Sequence, residues 1–112
     1  LHSPLAIRYS LFAMKDLAGA LTAANAAVFS SLGLEAKHAE VRRSDRPDLG
    51  EFQCNGALAA AKAAGKKPPE IAQAAAAAWS ATDLAPAPTI AGPGFLNFNV
   101  TASALSKRAQ FV

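Results

Sequence analysis

Asp48-Leu49-Gly50-Glu51-Phe52-Gln53-Cys54-Asn55-Gly56 is the stretch on which the reading of this 112-residue chain turns. A basic segment, residues 37–46, runs into it, and an alanine-rich run of helical composition, residues 57–64, leaves it. Between them lie one aromatic ring and two carboxamides. That combination suits an unstacked nucleobase, because the ring offers a π-face and the amides both donate and accept hydrogen bonds. The same residues also have an architectural reading. Asp48 and Glu51 fit a D-x-x-E capping box, Asn55 fits a cap for a helix starting at Gly56, and Phe52 fits a core. Spacing alone leaves both readings open.

Charge is concentrated around this stretch. Lys37, His38, Arg42, Arg43 and Arg46 precede it, and Lys62, Lys66 and Lys67 follow it, within a chain of net charge +3. Glu35, Glu40, Asp45 and Asp48 are interleaved. The balance permits an anionic partner, and an ordinary solvated face accounts for the same run.

Away from the centre the pattern is that of one domain with a modest core. Hydrophobic residues make up 52% of the chain, but alanine dominates them, so stability leans on the few large side chains. Those are Leu17, Leu21, Val28, Phe29, Ile71, Trp79, Ile90, Phe95, Leu96 and Phe98. Leu17, Leu21, Ala24, Val28 and Leu32 recur at helical spacing, and Gly33 suits the helix end. Residues 35–43 alternate weakly, which predicts a half-exposed strand, and Pro47 marks a loop after it. A helix is predicted over 57–64, ended by Gly65, and another over 69–81 with Trp79 in the core. Two short strands, 89–91 and 95–100, flank Gly92-Pro93-Gly94. Leu96, Phe98 and Val100 share one face of the second strand, and Asn97 and Asn99 the other. Ser103 is the expected cap of a last helix from Ala104.

Several chemistries are missing from the sequence. Cys54 is the sole cysteine, so there is no intrachain disulfide and no cysteine zinc site, and a reducing, cytoplasmic setting fits. His2 and His38 have no paired nucleophile, and no His/Asp/Glu cluster has metal-ligand spacing, so neither catalytic nor metal residues are assigned. The Gly92-Pro93-Gly94 turn lacks the lysine and spacing of a phosphate loop. No apolar run suggests a membrane span.

Three stretches, in order, carry a resemblance. Residues 49–56 resemble the Phe-Gly-Asp-Tyr-Gln-x-Asn-Gly signature of the N-terminal additional domain of arginyl-tRNA synthetases. Lys67-Pro68-Pro69-Glu70-Ile71-Ala72 is similar to that domain's Asn-Pro-Arg-Glu-Ile-Ala. Ile90-Ala91-Gly92-Pro93-Gly94-Phe95-Leu96-Asn97 is similar to its Ile-Ala-Gly-Pro-Gly-Phe-Ile-Asn. Phe52 stands where the family usually has Tyr, and Glu51 where it has Asp, which preserves stacking but removes a hydroxyl. The resemblance covers residues 14–112. Family proteins start just before the first helix, so Met14 is the expected start and residues 1–13 an upstream extension.

The resemblance implies an α+β fold, a small mostly antiparallel sheet with helices packed against it. It implies a tRNA-binding domain of a class I arginine–tRNA ligase that meets the D-loop, at the corner of arginine tRNA. Phe52, Gln53 and Asn55 are then expected near the nucleotide, with Arg42, Arg43 and Arg46 on phosphates. The implied partners are arginine tRNA and the enzyme's own catalytic domain. ATP and Mg2+ belong to that catalytic domain, and no cofactor is expected here. The catalytic signatures His-Ile-Gly-His and Lys-Met-Ser-Lys-Ser are absent, so this chain alone is expected to be inactive. Two other readings compete: a docking module whose alanine-rich faces bind a catalytic domain without touching nucleic acid, and a small freestanding enzyme. The missing catalytic constellation counts against the second.

Overall fold

The computed structural model describes residues 11–46 and 48–109. It is an α+β fold: four antiparallel strands form one sheet, and helices cover one of its faces.

The first helix, α1 (Leu11–Ser31), buries the stripe Leu17, Leu21, Asn25, Val28 and Phe29. It ends in a Schellman motif: Gly33 N–H donates to Ser30 O (3.0 Å) and Leu34 N–H to Phe29 O (2.9 Å). Gly33 has φ +77°, which glycine adopts without a Cβ penalty. The helix already includes residues 11–13, and Ala13 is buried at 4% exposure. The last part of the expected extension is therefore helical, and Ala13, one turn before Leu17, continues the same buried stripe. Residues 1–10 lie outside the described residues.

The strand expected over 35–43 is a correction. A 3-10 turn spans Ala36–Ala39, and only Arg42–Arg43 pair as β1. The reason lies on α1. Asn25 Nδ2 donates to Ala39 O (3.0 Å), and Thr22 Oγ1 both accepts from Val41 N (2.9 Å) and donates to Val41 O (3.2 Å). Helix side chains thus take the backbone groups that a longer strand would have offered to a ladder.

Strand β2 (Phe52–Cys54) falls on the central stretch and pairs with β1 on one side and β4 on the other, giving the order β1-β2-β4-β3. Helix α2 (Ala57–Ala64) follows with the bounds the sequence predicts, closed by Gly65 at φ +67°. Helix α3 (Pro68–Ala78) starts one residue early and stops three short of prediction, with Trp79 as its C-cap. Trp79 is core: its Nε1 donates to Ala85 O (2.7 Å), and its ring lies 5.0 Å from that of Phe98. Strands β3 (Thr89–Ala91) and β4 (Phe95–Phe98) form the expected hairpin. Ile90, expected in the core, is 40% exposed on the edge strand. Helix α4 (Ala102–Ala109) is capped by Thr101 and not by Ser103, since Ala104 N–H donates to Thr101 Oγ1 (3.1 Å).

The three resembling stretches meet in space. A Cβ on Gly94 would lie 3.1 Å from Pro68, and one on Gly50 would lie 2.8 Å from the Asn97 Cβ. Phe52 and Phe98 are direct cross-strand partners, and both are fully buried. Each such ring contributes roughly 1.5–3 kcal/mol by burial, so the centre of the sheet carries much of the core.

Candidate nucleic-acid interface

Strand pairing decides which side chains of the central stretch share a surface. Arg42 pairs with Gln53, Gln53 with Asn97, and Asn97 with Thr89. Direct partners project from the same side of a sheet, so these four form a polar row across all four strands. Phe52, Cys54, Leu96 and Phe98 project to the other side and are buried against the helices. Asn55, two residues beyond Gln53, shares the side of the row and is exposed. An antiparallel sheet with one packed and one polar face is a common arrangement.

Of the expected contacts, Arg42, Gln53 and Asn55 come together. Arg42 and Asn55 line a concavity of about 210 Å3 with Lys37, His38, Glu40 and Gly56. Lys37 and His38 were legible as part of the basic run, but only the 3-10 turn swings them beside Asn55. Close approach at Gly56 makes this possible: any Cβ there would overlap the His38 carbonyl oxygen. The same carbonyl accepts from Cys54 Sγ (3.5 Å). Burial pushes the Cys54 thiol above its ordinary pKa, so it stays neutral and takes no part in surface chemistry.

Phe52 is a correction. It has no exposed surface, so its ring is a core residue and offers no face to a base. The inward side of β2 claims it, while the neighbouring Gln53 faces out. The capping-box reading of Asp48 and Glu51 fails as well. No helix starts there; Asp48 pairs with Arg46, and Glu51 Oε1 accepts from Val100 N (3.1 Å) on the far side of the sequence. Asn55 makes no side-chain cap for α2.

The remaining arginines separate from Arg42. Arg43 is exposed but pairs with Phe52, which places it on the other side of β1. Arg46 is held in a fork by Asp48, Nε to Oδ1 at 3.0 Å and Nη2 to Oδ2 at 2.8 Å. The hydrogen bond raises the Arg46 pKa and lowers that of Asp48. Arg42 has a looser partner, Glu40 at 3.7 Å, and Lys37 has Glu35 at 3.3 Å, all well exposed. Such exposed surface pairs are weak. Among the described residues no group of three or more His, Cys, Asp or Glu forms a metal site, and no helix is long and apolar enough to cross a membrane.

Comparison with known proteins bears on this geometry. The family described as the arginyl tRNA synthetase N terminal domain matches residues 14–100, which include the whole sheet and the concavity. An arginine–tRNA ligase of Hyphomonas neptunium is 54% identical over 99 residues, 88% of this chain and 17% of the ligase. That of Alkaliphilus oremlandii is 48% identical over 79 residues, 70% of this chain and 14% of the ligase. That of Haemophilus ducreyi is 42% identical over 71 residues, 63% of this chain and 13% of the ligase. The chain thus spans 17% or less of the length of these relatives. With three signature stretches packed against one another and a match of this extent, the chain belongs to the arginyl-tRNA synthetase N-terminal domain family.

Proposed function

We propose that this domain holds arginine tRNA for an arginine–tRNA ligase, meeting the D-loop at the corner of the tRNA through the polar face of its sheet. The single observation that carries the reading is the convergence of Arg42, Gln53 and Asn55 on one side of the sheet, beside a concavity also lined by Lys37 and His38. The carboxamides supply donors and acceptors for an unstacked base, and Lys37 and Arg42 supply charge for phosphate. Chemistry belongs to a catalytic domain that uses ATP and Mg2+; this domain contributes position, in the reducing cytoplasm.

The test is a titration of arginine tRNA over a range of salt concentrations. Removing one cation from a phosphate lowers the salt slope by about 0.7–0.9, so Lys37→Ala with Arg42→Ala flattens it by roughly twice that. An unchanged slope and affinity returns both cations to a solvated face.

A second reading has its own observation. Ala24, Ala27, Val28 and Ser31 of α1, with Ala78, Ser80 and Ala81 at the end of α3 and just beyond it, line a groove of about 420 Å3 on the helical side. This small-residue surface suits a docking module for the ligase's catalytic domain. Salt-independent tRNA binding together with tight binding to the isolated catalytic domain favours that reading over the first.

A further inference from the structure

The basic run that leads into the central stretch is not where the unbalanced positive charge lies. Residues 35–51 hold four lysines and arginines against five carboxylates, a net charge of −1 with His38 neutral. Lys37, Arg42 and Arg46 each face a carboxylate there, at 3.3, 3.7 and 2.8 Å. Residues 57–78 hold Lys62, Lys66 and Lys67 against Glu70 alone, a net charge of +2. These three lysines are exposed, and among the described residues none of them forms an ion pair.

The fold gathers them at the junction of α2 and α3. Gly65 closes α2 in the left-handed region, and Lys66 N–H donates back to Ala61 O (2.9 Å), which holds Lys66 against the turn that carries Lys62. Lys67 follows as the N-cap of α3. Pro68 and Pro69 open that helix and have no N–H, so the junction offers an anion its ammonium groups and not a helix end. Its place beside the sheet is fixed as well. Pro68 packs against the β3–β4 turn, where a Cβ on Gly94 would lie 3.1 Å from it. Cys54 pairs with Leu96, so Asn55 leaves β2 at that same end of the sheet. Helix α2 packs on the 3-10 turn that carries Lys37 and His38. The lysine junction and the concavity therefore border one end of the sheet.

We propose that Lys62, Lys66 and Lys67 form a second phosphate track, which grips the RNA backbone beside the concavity. The inference rests on the reading of this domain as a tRNA binder. A polyanion is drawn to the net positive part of a surface, and an ammonium without a carboxylate neighbour gives its whole charge to phosphate. Lysine acts as a point charge and not as a fork, so the track fixes the register of the RNA and reads no base.

The experiment is a salt titration of arginine tRNA on the chain with Lys62→Gln, Lys66→Gln and Lys67→Gln combined, with melting curves alongside. Glutamine has nearly the helix propensity of lysine, so melting at the wild-type temperature is expected. The salt slope is expected to flatten by about 2–2.7, three times the ~0.7–0.9 of one phosphate contact. Arginine at the same three positions is expected to restore the wild-type slope, because the track uses charge. A wild-type slope and affinity in the glutamine variant, beside a flattened slope in Lys37→Ala with Arg42→Ala, overturns the track and leaves the proposed surface standing. Wild-type slopes in both variants remove the tRNA reading itself, and the track with it. A loss per charge no larger than that of Arg43→Ala marks bulk charge and also overturns the track. A direct measurement on the wild-type protein is acylation of lysine amines by an N-hydroxysuccinimide ester, read by peptide mass spectrometry. Labelling of Lys62, Lys66 and Lys67 is expected to slow when arginine tRNA is bound. Equal labelling with and without tRNA overturns the proposal.

Discussion

Phe52 and Cys54 have no exposed surface, while Gln53 is half-buried and Asn55 open to solvent. Four consecutive residues thus divide between two faces of one strand and its continuation. The inward pair meets Leu96 and Phe98 and holds the sheet to its helices; of the outward pair, Gln53 joins Arg42 and Asn97 in the polar row and Asn55 lines the concavity with Arg42. A signature that looks like one recognition motif is two motifs interleaved with a period of two. Half of it specifies the fold, and half is the candidate site.

Breaking the inward half should cost the most. Phe52→Ala is expected to destabilise the domain by roughly 3–5 kcal/mol, the range for emptying a buried phenylalanine. Denaturant melts check it, and a loss below about 1 kcal/mol would contradict the core assignment. Gly56→Ala is next, because its methyl overlaps the His38 carbonyl and the two segments must part. About 1–3 kcal/mol is expected, with weaker tRNA binding as Lys37 and His38 move away from Asn55. Wild-type melting would show that the two segments separate at little cost.

Cys54 gives a smaller effect with a definite sign. Its thiol pKa is raised by burial, so above about 8.5 the unfolded chain ionises the thiol while the folded domain keeps it neutral. The unfolded state then binds fewer protons, and stability falls as pH rises toward the folded pKa, by at most ~1.4 kcal/mol per pH unit. Below that window the contribution is fully present and flat. Cys54→Ala should remove this part of the alkaline decline, read as melting temperature between pH 8 and 10. Arg43 sharpens the comparison by its silence. It lies across β1 from Arg42, so Arg43→Ala should leave the tRNA salt slope nearly unchanged where Arg42→Ala lowers it by about 0.7–0.9. Equal effects would mean that the RNA wraps the edge of the sheet.

Much of the fold is readable from residues alone, for physical reasons that differ by element. Helix α2 is bounded by an alanine run and by Gly65 in the left-handed region, both local signals. The β3–β4 hairpin is legible through Gly92 and Gly94. What escapes is set by distant partners. Thr22 and Asn25 fix residues 39–41 across 14 to 19 positions, which shortens β1 to two residues. Glu51 finds its partner at Val100, where the local spacing offers a capping box instead. The candidate site shows the same division. Gln53, Asn55 and Arg42 stand out by residue type, but which arginine joins them depends on the register of β1 against β2. Phe52 faces inward because it alternates with Gln53 along β2, a pattern that competes in the sequence with the capping-box spacing of Asp48 and Glu51. Asn97 falls on the face of its strand that the alternation predicts, yet its burial comes from Gly50 in another signature stretch.

The central claim is that the polar face of the sheet, and not the alanine-lined groove of the helices, meets tRNA. Backbone amide chemical shifts followed during titration with arginine tRNA test it most directly. The account predicts the largest changes at Lys37, His38, Arg42, Gln53, Asn55 and Gly56, with Ala24, Ala27, Val28 and Ala78 unmoved. Changes centred on the helical groove, with the amides around Gln53 and Asn55 unaffected, would contradict it.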